Sequence, residues 1–237
     1  MECNVAQFRI LTAVVLFAAF ATHAGEPTPL EGETKLDAAE VDRVLAELPA
    51  FKSPKPLKAR IVAETDDLMG MRNEEGELLI APPAQVLRTF TKPKAKTWVL
   101  NGNLLQVYLP ARKQLYVTDF SNAPKTLKRI QNAFTGDLKS LRELFAISVF
   151  SSAGAKTYRF VLLPAKGESA AGYKRIQAKL AADALFFHEI AYEPESGDKV
   201  VEKYSAIEAV EKPAASVFEI QVPDDVTRKT DKVSDTQ

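Results

Sequence analysis

Cysteine is almost absent from this 237-residue chain. The single example, Cys3, lies ahead of the first apolar run. If that leading segment is removed, no cysteine remains, which excludes disulfides, thiol catalysis and thiolate metal sites from the rest. Histidine is nearly as scarce: of two, only His188 lies beyond the first 24 residues. Neither sign of charge is in excess, since 31 Lys and Arg balance 31 Asp and Glu. The broad positive footprint of a nucleic-acid binder is therefore missing. Long apolar runs are missing too. Ile10 to Ala21 is the longest, and about 12 residues cannot span a ~30 Å bilayer core as a helix. There is also no Gly-x-Ser-x-Gly elbow, no His-Glu-x-x-His helix and no Gly-rich phosphate loop. Asp66-Asp67 and Asp224-Asp225 are adjacent pairs at strand ends, where neighbours point to opposite faces, so neither builds a two-carboxylate site. A lone histidine in the strand around Leu185–Ile190 reads as structural. These absences point to a protein that is not an enzyme, with no catalytic residue, no cofactor and no metal.

What is present begins with an export signal. Arg9 and the amino terminus, diluted by Glu2, precede the apolar run, and Thr22-His23-Ala24 offers small residues where a signal peptidase reads. Residues 1–24 are expected to be a signal peptide cleaved after Ala24. No cysteine follows the run to take a lipid anchor, so the product is expected to be soluble.

Residues 77–114 then read as four short strands broken at Pro82-Pro83, Lys92-Pro93, Asn101-Gly102-Asn103 and Pro110. Strands this close, joined by turn residues, make an antiparallel sheet. Across the chain, strands are expected at 57–66, 76–81, 85–91, 96–101, 104–109, 112–118, 156–163, 173–181, 184–193, 199–208 and 216–222. Leu36 to Leu48 carries one apolar helical stripe that Pro49 ends. Two more helices are expected, at 121–134 (Leu127, Ile130, Phe134) and 137–147 (Leu138, Leu141, Leu144, Phe145). Residues 25–225 read as a single domain, and the polar stretch 226–237 as a disordered tail.

Several strands are apolar at both sets of positions, as in Leu78-Leu79-Ile80, Trp98-Val99-Leu100 and Val107-Tyr108-Leu109. A sheet with one wet face alternates, so both faces here must be covered. Composition does not separate a filled interior from a hollow one.

The stretch 76–114 resembles the core of the outer-membrane lipoprotein carrier (LolA-like) family. The resemblance rests on Gly76-Glu77, Pro83, Thr91-Lys92-Pro93, Gly102, Tyr108-x-Pro110 and Gln114. It extends by pattern over roughly 36–224, ending in Val217-Phe218-Glu219-Ile220-Gln221-Val222-Pro223. It implies an α+β fold: an open antiparallel β half-barrel whose helices plug and lid an apolar concave face. It also implies a monomeric periplasmic carrier that shelters the acyl chains of lipoproteins between an inner-membrane release complex and an outer-membrane acceptor. The alternatives are a paralogue carrying a glycolipid or another amphiphile, and a periplasmic regulatory binding protein of the same fold. On this reading Val86, Phe90, Trp98, Val99, Leu105 and Val107 line the cavity, and Leu127, Ile130, Leu141 and Phe145 form the lid. One departure stands out. Pro82 replaces an arginine that bonds the lid in the family's best-studied branch, and Arg88 is the candidate substitute, as a lid or headgroup contact.

Overall fold

The computed structural model describes residues 26–52, 55–67, 70–135, 142, 145–152, 154, 156–165, 173–194 and 197–235. The expected signal peptide lies outside them. Thirteen strands form one sheet: β1 (Glu33–Lys35), β2 (Leu57–Asp67), β3 (Gly70–Ala81), β4 (Gln85–Lys92), β5 (Lys96–Asn101), β6 (Leu104–Leu109), β7 (Gln114–Asn122), β8 (Phe145–Ser152), β9 (Thr157–Pro164), β10 (Tyr173–Ala181), β11 (Glu189–Pro194), β12 (Lys199–Ala209) and β13 (Thr227–Ser234). Their spatial order is β1-β8-β9-β10-β11-β12-β2-β3-β4-β5-β6-β7-β13. Two antiparallel meanders, β2 to β7 and β8 to β12, are thus joined where β12 pairs with β2. The ends do not meet, so the sheet is open.

Among the described residues three α-helices accompany it: α1 (Ala38–Glu47), α2 (Pro49–Lys52) and α3 (Pro124–Thr135). Among the described residues no helix is long and apolar enough to cross a membrane. Helix α1 starts at a capping box, in which the Asp37 carboxylate accepts from the Glu40 N–H and the Glu40 carboxylate accepts from the Asp37 N–H. Its apolar stripe, Val41, Val44, Leu45 and the following Leu48, enters the main core, whose strand side includes Ala59, Ile61, Leu78, Phe160 and Leu180. Helix α1 therefore plugs the inner face.

Among the described residues the strand register shifts at four places, two of them next to the central strands β2 and β3. The β3–β4 register shifts between Glu75 and Gly76, and the β12–β2 register shifts between Ser205 and Glu208. Such bulges kink a strand and increase its twist. Gly76 is needed at its position because a Cβ there would lie 2.2 Å from the Thr89 carbonyl oxygen.

The outer face is covered as well. A 3-10 turn, Ala215–Phe218, brings Phe218 against Ala81 and Val99, and the Asn101 side chain donates to the Phe218 carbonyl at 3.2 Å. The strand expected at 216–222 is this turn and an extended segment instead. Apolarity on both sets of positions thus has its structural cause, helices inside and the Phe218 segment outside.

Three other expectations change. Phe145, expected on a second lid helix, opens β8, where Phe145, Ile147 and Val149 alternate into the core. The alternating, partly β-branched run after Phe145 outweighs the helical spacing before it. The stretch 227–234, expected as a disordered tail, is β13, which pairs parallel with β7 and packs Val233 on the core. His188 is not inside a strand but in the bend before β11, where its N–H donates to the Lys179 carbonyl at 3.0 Å.

Candidate functional site

Cross-strand register decides which side chains share the inner face, because directly opposed residues lie on the same side of a sheet. On β4, Val86, Arg88 and Phe90 alternate inward. Arg88 opposes Trp98 and Val86 opposes Leu100 on β5; these in turn oppose Val107 and Leu105 on β6. Val86, Phe90, Trp98, Leu105, Val107 and Arg88 therefore come together on one surface. Val99 does not join them. It sits between Trp98 and Leu100, so the pleat turns it outward, where it is buried beneath Phe218.

Of the four expected lid residues, Leu127 on α3 packs against the main core. Ile130 falls on α3, but its side chain lies outside what is described, and Leu141 lies outside the described residues altogether. Phe145 is a wall residue of β8. Beyond α3, Arg142 forms a 2.6 Å ion pair with Asp42 of the plug helix, both side chains being exposed.

The other half of the inner face is aromatic. Phe51 of α2 meets Phe160 at 5.8 Å and Phe187 at 5.9 Å between ring centroids, and Phe187 meets Phe186 at 5.6 Å. Phe186 lies edge-on to Tyr204 at 5.2 Å. None of these aromatics is among the residues expected at the cavity from sequence. Phe186 and Phe187 precede β11 and owe their burial to tertiary folding, although two adjacent phenylalanines beside the chain's last histidine are a usable signal.

A buried polar group crosses the floor. Arg88 Nη2 lies 2.6 Å from Glu202 Oε1 on β12 and 3.2 Å from the Tyr204 hydroxyl. The hydroxyls of Tyr204 and Tyr192 donate to Glu202 Oε2 at 2.5 and 3.2 Å. Strands β2 and β3 stand between β12 and β4. On a flat sheet the two strands would be about 14 Å apart, so this contact reports how tightly the sheet curls. Small residues, Ala59 and Ala63 on β2 and Gly76 on β3, leave room above the intervening strands. Burial alone would lower the Arg88 pKa, but the Glu202 carboxylate more than offsets this and the guanidinium is held firmly charged. Burial, reinforced by the Glu202 charge, pushes the Tyr192 and Tyr204 phenols well above their usual value, and Tyr173 upward. Arg88 is thus buried and paired with Glu202.

The surface has apolar walls, an aromatic half and a buried charge pair neutralised internally. Such a surface can hold chains of methylene groups. His188 is half-buried, and burial lowers its pKa, with Glu189 and Lys179 as its charged neighbours. Among the described residues no three His, Cys, Asp or Glu side chains cluster to hold a metal ion.

No curated protein sequence matches the chain. It is distantly similar to several solved structures. An uncharacterized conserved protein from Thermus thermophilus shares 12% identity, over 82% of this chain and 99% of that one, with a TM-score of 0.49. A LolA superfamily protein from Nitrosomonas europaea shares 12% identity, over 76% and 97%, with a TM-score of 0.42. A chain of the Pseudomonas aeruginosa MucA/MucB complex shares 13% identity, over 79% and 64%, with a TM-score of 0.45. The family profile described as "Outer membrane lipoprotein carrier protein LolA" matches residues 57–221, from the first residue of β2 through the segment that covers the outer face. That span is well over half of the sequence, and the chain belongs to the LolA outer membrane lipoprotein carrier family.

Proposed function

We propose that this protein is a periplasmic carrier that shelters the acyl chains of lipoproteins between its inner face and its helices. It would take cargo from an inner-membrane release complex and yield it to an outer-membrane acceptor. The observation that carries this reading is how the inner face is covered. Helices α1 and α3 cover it through side-chain packing, and neither belongs to the sheet's hydrogen-bond ladder. Cover of that kind can move aside without breaking strand pairing.

Energetics explain why cargo would enter. Each methylene removed from water contributes about 0.8 kcal/mol, so two or three acyl chains represent tens of kcal/mol. No bond is made or broken, and no catalytic group is required. The Arg88–Glu202 pair places a polar island in this surface, and Pro82, which has no side-chain donor, cannot tie the lid to the sheet.

The test is native mass spectrometry with lipid extraction on protein purified from a periplasmic extract. Co-purified acylated lipoprotein is the expected result. Phospholipid or glycolipid alone would move the function to a different amphiphile. A protein that stays empty when offered lipidated peptide would overturn the reading.

A further inference from the structure

The N-terminus of the lid helix is capped by the far end of the chain. Helix α3 begins at Pro124, and the residue before it is Ala123, which has no side chain able to accept from the first-turn N–H groups. Those donors need an acceptor, since a helix start leaves its first N–H groups unpaired. Asp235, the residue after β13, supplies it. Its carboxylate accepts from the Lys125 N–H at 2.8 Å, from the Thr126 N–H at 3.1 Å and from the Thr126 hydroxyl at 2.8 Å. The cap is therefore provided in three dimensions by a segment about 110 positions away, not by the sequence that enters the helix.

Among the described residues, the segment that carries the cap pairs with the sheet along one edge. Strand β13 runs parallel to β7, from the Thr227 N–H donating to the Lys113 carbonyl at 2.9 Å to the Asp235 N–H donating to the Asn122 carbonyl at 3.3 Å. An ion pair between Lys113 and Asp225 fixes the approach, Lys229 lies 5.4 Å from the Tyr116 ring centroid, and Val233 packs on the core. Most other β13 side chains are exposed. Asn122, which receives Asp235, is the last residue of β7, and the lid helix starts two residues later. The docking of the final strand and the order of the lid's hinge thus meet at one point.

We propose that Asp235 is the positioning residue of the lid, and that β13 is a pin: docked on β7 it caps and orders the start of α3, and displaced it releases that end. The carboxylate's pKa is held below its usual value by these N–H and hydroxyl donors, against the opposing effect of burial, which agrees with a charged cap on a helix N-terminus. That α3 acts as a lid rests on the carrier reading; the coupling of β13 to α3 does not.

The experiment is amide hydrogen exchange by NMR on the full chain, comparing wild type with Asp235→Ala, Asp235→Asn and a chain ending at Val226. In Asp235→Ala, the Lys125 and Thr126 amides and the first turn behind them should exchange about fivefold faster, a cap's ordinary contribution. The amides of β3 to β5 should be unchanged. Asp235→Asn keeps an acceptor and should restore most of the protection; removal of β13 should exceed Asp235→Ala. Unchanged exchange at Lys125 and Thr126 in Asp235→Ala overturns the proposal, and so does an equal loosening of helix and sheet. The readout needs no cargo, so a protein that binds no amphiphile would sink the carrier reading and leave this result to stand or fall separately.

Discussion

Glu202 is the residue whose replacement should be felt most sharply. Glu202→Leu leaves the Arg88 guanidinium charged, buried and without its carboxylate, and loss of one partner from such a pair costs about 3–5 kcal/mol. Urea denaturation should show that drop, and Arg88→Met combined with Glu202→Leu should recover most of it. A near-neutral Glu202→Leu would mean that water reaches the pair. The phenols that bond Glu202 give a pH signature. Burial raises the Tyr192 and Tyr204 pKa values well above that of an exposed phenol. Their contribution is therefore complete below the unfolded value of about 10 and is lost as pH climbs above it. Stability should fall in that window, and Tyr204→Phe should make the fall shallower; a Tyr204→Phe profile parallel to wild type would contradict this. On the outer face Phe218 is fully buried, and Phe218→Ala should lower stability by about 3–5 kcal/mol in the same denaturation assay. Alternation makes the facing of Val86, Arg88 and Phe90 legible in the sequence. It also forbids Trp98 and Val99 from sharing a face, and assigning both to the cavity overlooks the pleat. Glu202 could not be found that way, because no local pattern pairs β4 with β12.

Among the elements, those with strong local punctuation are the readable ones. The hairpins between β3 and β7 announce themselves through Pro82-Pro83, Lys92-Pro93 and Asn101-Gly102, and Gly102 adopts the φ of +59° that its turn requires. Helix α1 is legible from its stripe and its stop at Pro49. Its start depends on Asp37, and Asp37→Ala should cost about 1 kcal/mol, checked by thermal unfolding; no change in the midpoint would show that packing alone fixes the plug. Strand β8 is hidden because Phe145 also fits the helical spacing of the leucines before it. Strand β13 is hidden for a different reason: its sequence, TRKTDKVS, is polar on both faces, and an edge strand need bury little. Its place comes from the edge of β7, which no reading of 227–234 alone reveals.

Across the whole molecule, two meanders joined at β12 and β2 make one curled surface, closed over by helices rather than by a second sheet. The family profile begins at β2 and ends beyond the Phe218 turn, so it includes both meanders but neither helix α1 nor β13. The acyl-chain account makes its sharpest demand at Trp98, the chain's only tryptophan, which shares the inner face with Arg88 and packs against the main core. The most direct measurement is the quenching of Trp98 fluorescence by a lipopeptide whose acyl chains carry bromine. Saturable quenching by the acylated peptide, with none from the same peptide lacking its chains, is the result the account predicts. Binding of the lipopeptide that leaves Trp98 unquenched, or no binding at all, would contradict it.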